Sequence, residues 1–74
     1  GAGYAGLSLL ADFEPDLIKL DMALIRNVHL DRVRRAIIAG TVQTCTDLGI
    51  TIIAEGVESA DEVDALRDAG ITLF

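Results

Sequence analysis

Thr51-Ile52-Ile53-Ala54-Glu55-Gly56-Val57-Glu58 is an apolar run that ends in a carboxylate, is broken at once by a glycine, and is followed by a second carboxylate. It reads as a strand of a parallel sheet, since a strand covered on both faces is nearly all apolar. Its C-terminal end then carries acid beyond the sheet. Asp16-Leu17-Ile18-Lys19-Leu20-Asp21 has a similar design. Side chains alternate along a strand, so Leu17, Lys19 and Asp21 share one face, and Thr51, Ile53 and Glu55 share one face of the other strand.

Outward from these strands the pattern is helical. Met22 to Val28 predicts a short helical turn, with Asn27 near its end. Asp31 is placed to cap a long helix that runs to Leu48 and stops at Gly49. Val33, Ile37, Thr41 and Leu48 form a stripe on it, flanked by Ala36 and Gly40, and Arg32, Arg34 and Arg35 read as a solvated face. Ser59-x-x-Glu62 is a capping box for a further helix that carries Val63 and Leu66 inward and ends at Gly70. Ile71 to Phe74 predicts a third strand. Upstream, Tyr4 to Phe13 places Leu7, Leu10 and Ala11 at helical spacing, and Pro15 ends that helix.

Strand, helix, strand, helix, strand implies a parallel sheet with right-handed crossovers. Three such strands alone leave two unprotected edges. The expected fold is therefore α/β, a fragment of a (β/α)₈ barrel of the TIM type with about three parallel strands and intervening helices. A doubly wound sheet is the alternative, and Gly1-x-Gly3 falls short of a dinucleotide-binding glycine fingerprint. The Gly1-Ala2-Gly3 opening has no polar lead-in or cap, as expected of a cut inside a larger domain.

Of 74 residues, 51% are apolar and only 4% aromatic, so the core must be aliphatic. So apolar a chain of this length is expected to present surfaces that meet something else. No run is long enough for a membrane span, and no signal-peptide pattern is present. A net charge of −6 argues against nucleic-acid polymers and anionic membranes. A small phosphate ligand remains open, because metal ions can reverse the local sign. Cys45 is the single cysteine, which points to a reducing, cytoplasmic setting and a small core residue. His29 reads as a surface histidine in a polar loop, and Met22 as a packing residue.

In such barrels the site lies at the C-terminal ends of the strands. Lys19, Asp21 and Glu55 fall there, with Glu58 on the following loop. Adjacent strands lie about 4.8 Å apart, so Lys19 and Glu55 come within reach of one ligand or one water. Two readings stay open for that pair: a structural ion pair in a barrel mouth, or a catalytic site. Asp21 reads on its own as an N-cap or loop anchor, and Glu58 as a helix N-terminal charge.

The stretches Gly1 to Leu10, Pro15 to Asp21 and Ala54 to Glu58, in this order and spacing, resemble the second half of the EAL-domain family, cyclic di-GMP phosphodiesterases built on a modified TIM barrel. Among members, the segment is most similar to light-regulated, flavin-sensing phosphodiesterases. The resemblance implies bacterial signalling, hydrolysis of cyclic di-GMP to the linear dinucleotide, a Mg²⁺ or Mn²⁺ two-metal site, a homodimer and a regulatory sensor domain elsewhere in the parent. It implies that Lys19 contacts the attacking water and a phosphate oxygen, that Glu55 is a metal-associated carboxylate and the candidate general base, and that Asp21 supports the site. Glu58 would tether a switch loop beginning Gly1, Ala2, Gly3, Tyr4.

Two charged groups of this kind suit a phosphodiester, whose negative charge must be neutralised before water can attack. The family's Glu-Ala-Leu motif, its metal-binding asparagine, a further glutamate, the Asp-Asp pair expected before Gly1 and the Gln-Gly expected after Phe74 are not in this chain. The isolated chain is therefore expected to be inactive and to bind metal poorly. The alternative function is an inactive EAL module that binds cyclic di-GMP or a protein partner.

Overall fold

The computed structural model describes residues 9–74. Residues 9–13 are helical and form α1, the described end of the helix expected from Tyr4. Its earlier part and the Gly1–Tyr4 loop lie outside the described residues. There follow β1 (Leu17–Leu20), α2 (Met22–Ile25), a 3₁₀ turn (Val28–Leu30), α3 (Arg32–Leu48), β2 (Thr51–Ala54) and α4 (Ala60–Asp68). Among the described residues no helix is long and apolar enough to cross a membrane.

β1 and β2 pair in parallel, from Leu17 opposite Thr51 to Leu20 opposite Ala54. The ladder reaches one residue before β1 and one residue after β2, with the Thr51 amide donating to the Asp16 carbonyl at 3.0 Å and the Glu55 amide to the Leu20 carbonyl at 3.2 Å. The third strand expected over Ile71–Phe74 is reduced to one parallel bridge, Ile53 to Leu73. The reason lies in how α4 ends. The Ile71 amide still donates to the Leu66 carbonyl at 2.9 Å, so the chain enters the sheet only where the Ala54 amide meets the Leu73 carbonyl at 3.0 Å.

Both longer helices are bounded by local chemistry. Asp31 caps α3 by accepting from the Arg34 amide at 3.0 Å. Gly49, at φ 72°, ends it. The Gly49 amide bonds the Thr46 carbonyl and the Ile50 amide bonds the Cys45 carbonyl, a Schellman closure that delivers buried Ile50 to β2. The same pair of bonds closes α4, where Gly70 and Ile71 answer Arg67 and Leu66. At its start α4 has the complete Ser59–Glu62 capping box.

The core joins Leu20, Ile25, Val28, Ile38, Ala54, Leu66 and Ile71, with Val42, Ile52 and Val57 packed against it. The face of α3 that packs inward carries Ile38 and Cys45. The stripe read from the sequence is instead outside: Val33, Ile37 and Leu48 are 60%, 51% and 54% exposed. An aliphatic helix offers two adjacent stripes about 100° apart, and periodicity alone cannot choose between them. Packing chooses, because the 3₁₀ turn and α4 both dock on α3.

The arginines also differ from a uniformly solvated face. Arg32 is exposed. Arg34 pairs with Asp31. Arg35 is half-buried and donates to the carbonyls of Val28 at 3.1 Å and His29 at 2.7 Å, satisfying the end of the 3₁₀ turn. His29 lies within that turn rather than in a polar loop, and is half-buried.

Candidate active site

The parallel register sets Lys19 opposite Ile53, two residues before Glu55 on the same face. Lys19 Nζ lies 3.4 Å from Glu55 Oε1, and the two side chains are 57% and 52% exposed. The cation and the carboxylate thus meet at adjacent strand ends and remain open to solvent. A cleft of about 490 Å³ lies beside them, lined by Ile53, Ala54, Glu55, Gly56, Val57 and Phe74. Arg67 stands over the Phe74 ring, 5.7 Å from its centroid.

Asp21 Oδ1 accepts from the amides of Ala23 at 2.8 Å and Leu24 at 3.3 Å, so it caps α2 and fixes the direction in which the chain leaves β1. Glu58 pairs with Arg26. Its expected tether to the loop at Gly1 lies outside the described residues. The loops after β1 and β2 are thereby joined to each other. Met22, first residue of α2, lies against Gly56, where φ is 72° and where Met22 Cγ and Sδ fill the space that a Cβ would need.

Glu62 was visible in the sequence only as half of a capping box. Its carboxylate is also the buried junction of the two loops. Oε1 accepts from the amides of Glu58 at 2.9 Å and Ser59 at 3.2 Å, while Oε2 accepts from the amide of Asn27 at 2.8 Å, across 35 residues of chain. The side chain is 2% exposed. The Glu58 amide foremost, then the Asn27 amide, hold its carboxyl below the usual range against the opposing effect of desolvation, with help from the Ser59 amide and the Arg26 charge. Asn27 adopts the left-handed conformation at φ 54°, which turns its amide toward Glu62. An Asn at a helix end was the available signal, since it tolerates that region.

Among the described residues no three His, Cys, Asp or Glu side chains converge to hold a metal ion. Asp21 and Glu58 are already engaged, by backbone amides and by Arg26. Glu55 offers a hard oxygen donor of the kind Mg²⁺ and Mn²⁺ prefer, but one carboxylate is not a metal centre. The described residues therefore do not fit a complete ion site.

Residues 1–74 match the profile of the EAL domain family along their whole length. The chain belongs to the EAL-domain family. This EAL segment is 47% identical over all of its length to the blue light- and temperature-regulated antirepressor BluF of Escherichia coli, of which it covers 18%. Over 96% of its length it is 42% identical to the cyclic di-GMP phosphodiesterase PdeR of the same organism, of which it covers 11%. It superposes on Klebsiella pneumoniae BlrP1, solved at pH 6 with manganese and cyclic diGMP, with a TM-score of 0.89 and 52% identity, covering 96% of this chain and 18% of that one. BlrP1 has also been solved with calcium and cyclic diGMP. The EAL segment thus spans less than a fifth of the length of these relatives. Its α/β order of parallel strands and helices is shared with EAL-domain structures.

Proposed function

We propose that this chain forms part of the active site of a phosphodiesterase that hydrolyses cyclic di-GMP to the linear dinucleotide. The observation that carries the reading is the Lys19–Glu55 pair, 3.4 Å apart and half-exposed at neighbouring strand ends. Such an exposed pair is worth about 0–1 kcal/mol, so an arriving phosphodiester exchanges it at little cost. Lys19 then turns to a phosphate oxygen, where negative charge develops as water attacks phosphorus. Glu55, released from the ammonium, accepts the proton of that water. The phosphorus bond to the bridging sugar oxygen breaks, that oxygen takes up a proton from solvent water to become a hydroxyl, and the linear product leaves. The relatives named for cyclic di-GMP phosphodiesterase activity support this reading.

A divalent ion, Mg²⁺ or Mn²⁺, would find one oxygen donor in Glu55 and its others outside the described residues. Asp21 supports the site by fixing the exit of β1. In the same reading the chain is one part, residues 1–74, of a larger EAL domain. That domain pairs with a second copy and answers to a sensor domain through the Gly1–Tyr4 loop, which Glu58 anchors.

The test is Glu55→Gln in the full-length protein, with cyclic di-GMP turnover followed by chromatography. Loss of turnover with retained folding is expected, and full activity overturns the assignment. A second reading is favoured by the antirepressor BluF, at 47% identity: a module that acts through a protein partner without hydrolysis. Cyclic di-GMP binding without turnover in the unmutated protein would select it.

A further inference from the structure

The loops that follow β1 and β2 are clasped at three points. Met22 packs on Gly56. Arg26 pairs with Glu58. The Asn27 amide reaches Glu62. The first two are contacts of exposed or half-exposed side chains at the surface. The third is part-buried and ends on the Glu62 carboxylate, which is itself 2% exposed, so leaving that acceptor oxygen unpaired is costly. Glu62 also takes the Glu58 and Ser59 amides, so one carboxylate fixes both the end of the 20–27 segment and the end of the 55–59 loop.

We infer that Glu62 is a positioning residue, which holds the loop after Glu55 against the segment after Lys19 and so sets the separation of the two groups at the strand ends. The inference rests on the proposed phosphodiesterase reading for its effect on turnover, but not for its effect on the loops. A capping box needs only one acceptor oxygen on the glutamate. Here Oε1 does that work, and Oε2 is left to make the link across the site. The two duties can therefore be separated. Ser59→Ala removes the Ser59 Oγ that accepts from the Glu62 amide and weakens the start of α4, while leaving the Asn27 link in place. Glu62→Ala removes both. Glu62→Gln keeps one acceptor oxygen and presents an amide N–H₂ where the other stood, so it retains either the cap or the link.

The experiment compares the three variants in the full-length protein, by amide hydrogen exchange and by turnover of cyclic di-GMP at a temperature where all are folded. Glu62→Ala is expected to speed exchange at residues 20–27 and 55–58 together, and Ser59→Ala only near the start of α4. In turnover, Glu62→Ala is expected to lower kcat about ten- to a hundredfold at nearly constant KM, as a misplacement of reacting groups does. Glu62→Gln is expected to fall between, and Ser59→Ala to stay within about twofold of the unmutated protein. Exchange that changes only within 59–63 in Glu62→Ala overturns the positioning role, whatever the activity. Exchange that changes in both loops while the unmutated protein has no turnover leaves the positioning role standing and removes the phosphodiesterase reading instead. Equal loss of kcat in Glu62→Ala and Ser59→Ala also overturns it, because a weakened helix would then suffice.

Discussion

The side chain of Met22 occupies the place that a Cβ on Gly56 would take, and Gly56 sits at φ 72°. Two independent costs thus fall on any larger residue: a left-handed backbone and a displaced methionine. Gly56→Ala is expected to destabilise the protein by about 1–3 kcal/mol. Denaturant titration checks this. Because Gly56 directly follows Glu55, turnover should fall as well, and Met22→Ala in the same background should recover stability only in part, since the backbone strain remains.

The Lys19–Glu55 pair separates function from stability. Both side chains are more than half exposed, so breaking the pair should change stability by no more than about 1 kcal/mol. Lys19→Met and Glu55→Gln are therefore expected to melt within a few degrees of the unmutated protein while losing most turnover. Differential scanning calorimetry beside a turnover assay distinguishes this from a structural ion pair, for which both quantities would change little.

The parts of the fold legible in the sequence were those set by local chemistry. Asp31, Gly49 and the Ser59–Glu62 box each act within a few residues, and each stands where the pattern placed it. The strand ends were legible because apolar runs stop at Lys19-Leu20-Asp21 and at Glu55. What was not legible depended on contacts far apart in the chain. Asn27 and Glu62 meet across 35 residues, and no spacing rule announces that pair. The inward face of α3 was missed for a related reason: both stripes are aliphatic, and only the docking of other elements selects Ile38 and Cys45. The bridge at Leu73 likewise reflects how far the closure of α4 reaches, which β-propensity does not contain.

Acid should weaken the structure through two carboxylates. The Arg34 amide and guanidinium hold Asp31 below its ordinary 3.8, and the Glu58 and Asn27 amides hold Glu62 below its ordinary 4.5. The folded state then binds these protons more weakly than the unfolded chain, so their stabilisation is present above the unfolded pKa values and lost as pH falls through and below them. Melting temperature is expected to hold between about pH 7 and pH 5 and to fall below about pH 4.5. Glu62→Gln should begin lower and show a shallower acid limb. An acid limb unchanged by that substitution would remove Glu62 from the explanation.

Two neighbouring isoleucines on α3 test which of its faces carries the packing. Ile38 is fully buried in the core, whereas Ile37 is 51% exposed on the stripe with Val33 and Leu48. Ile38→Ala removes apolar contacts and leaves a cavity, and should cost about 2–5 kcal/mol. Ile37→Ala loses a side chain that already meets water and should cost less than about 1 kcal/mol. Urea titrations of the two variants measure the difference directly. A cost for Ile37→Ala that approaches that of Ile38→Ala would mean that the Val33–Ile37–Leu48 stripe is covered in the intact protein. Both aliphatic stripes of α3 would then be packed there, one within residues 9–74 and the other against something beyond them.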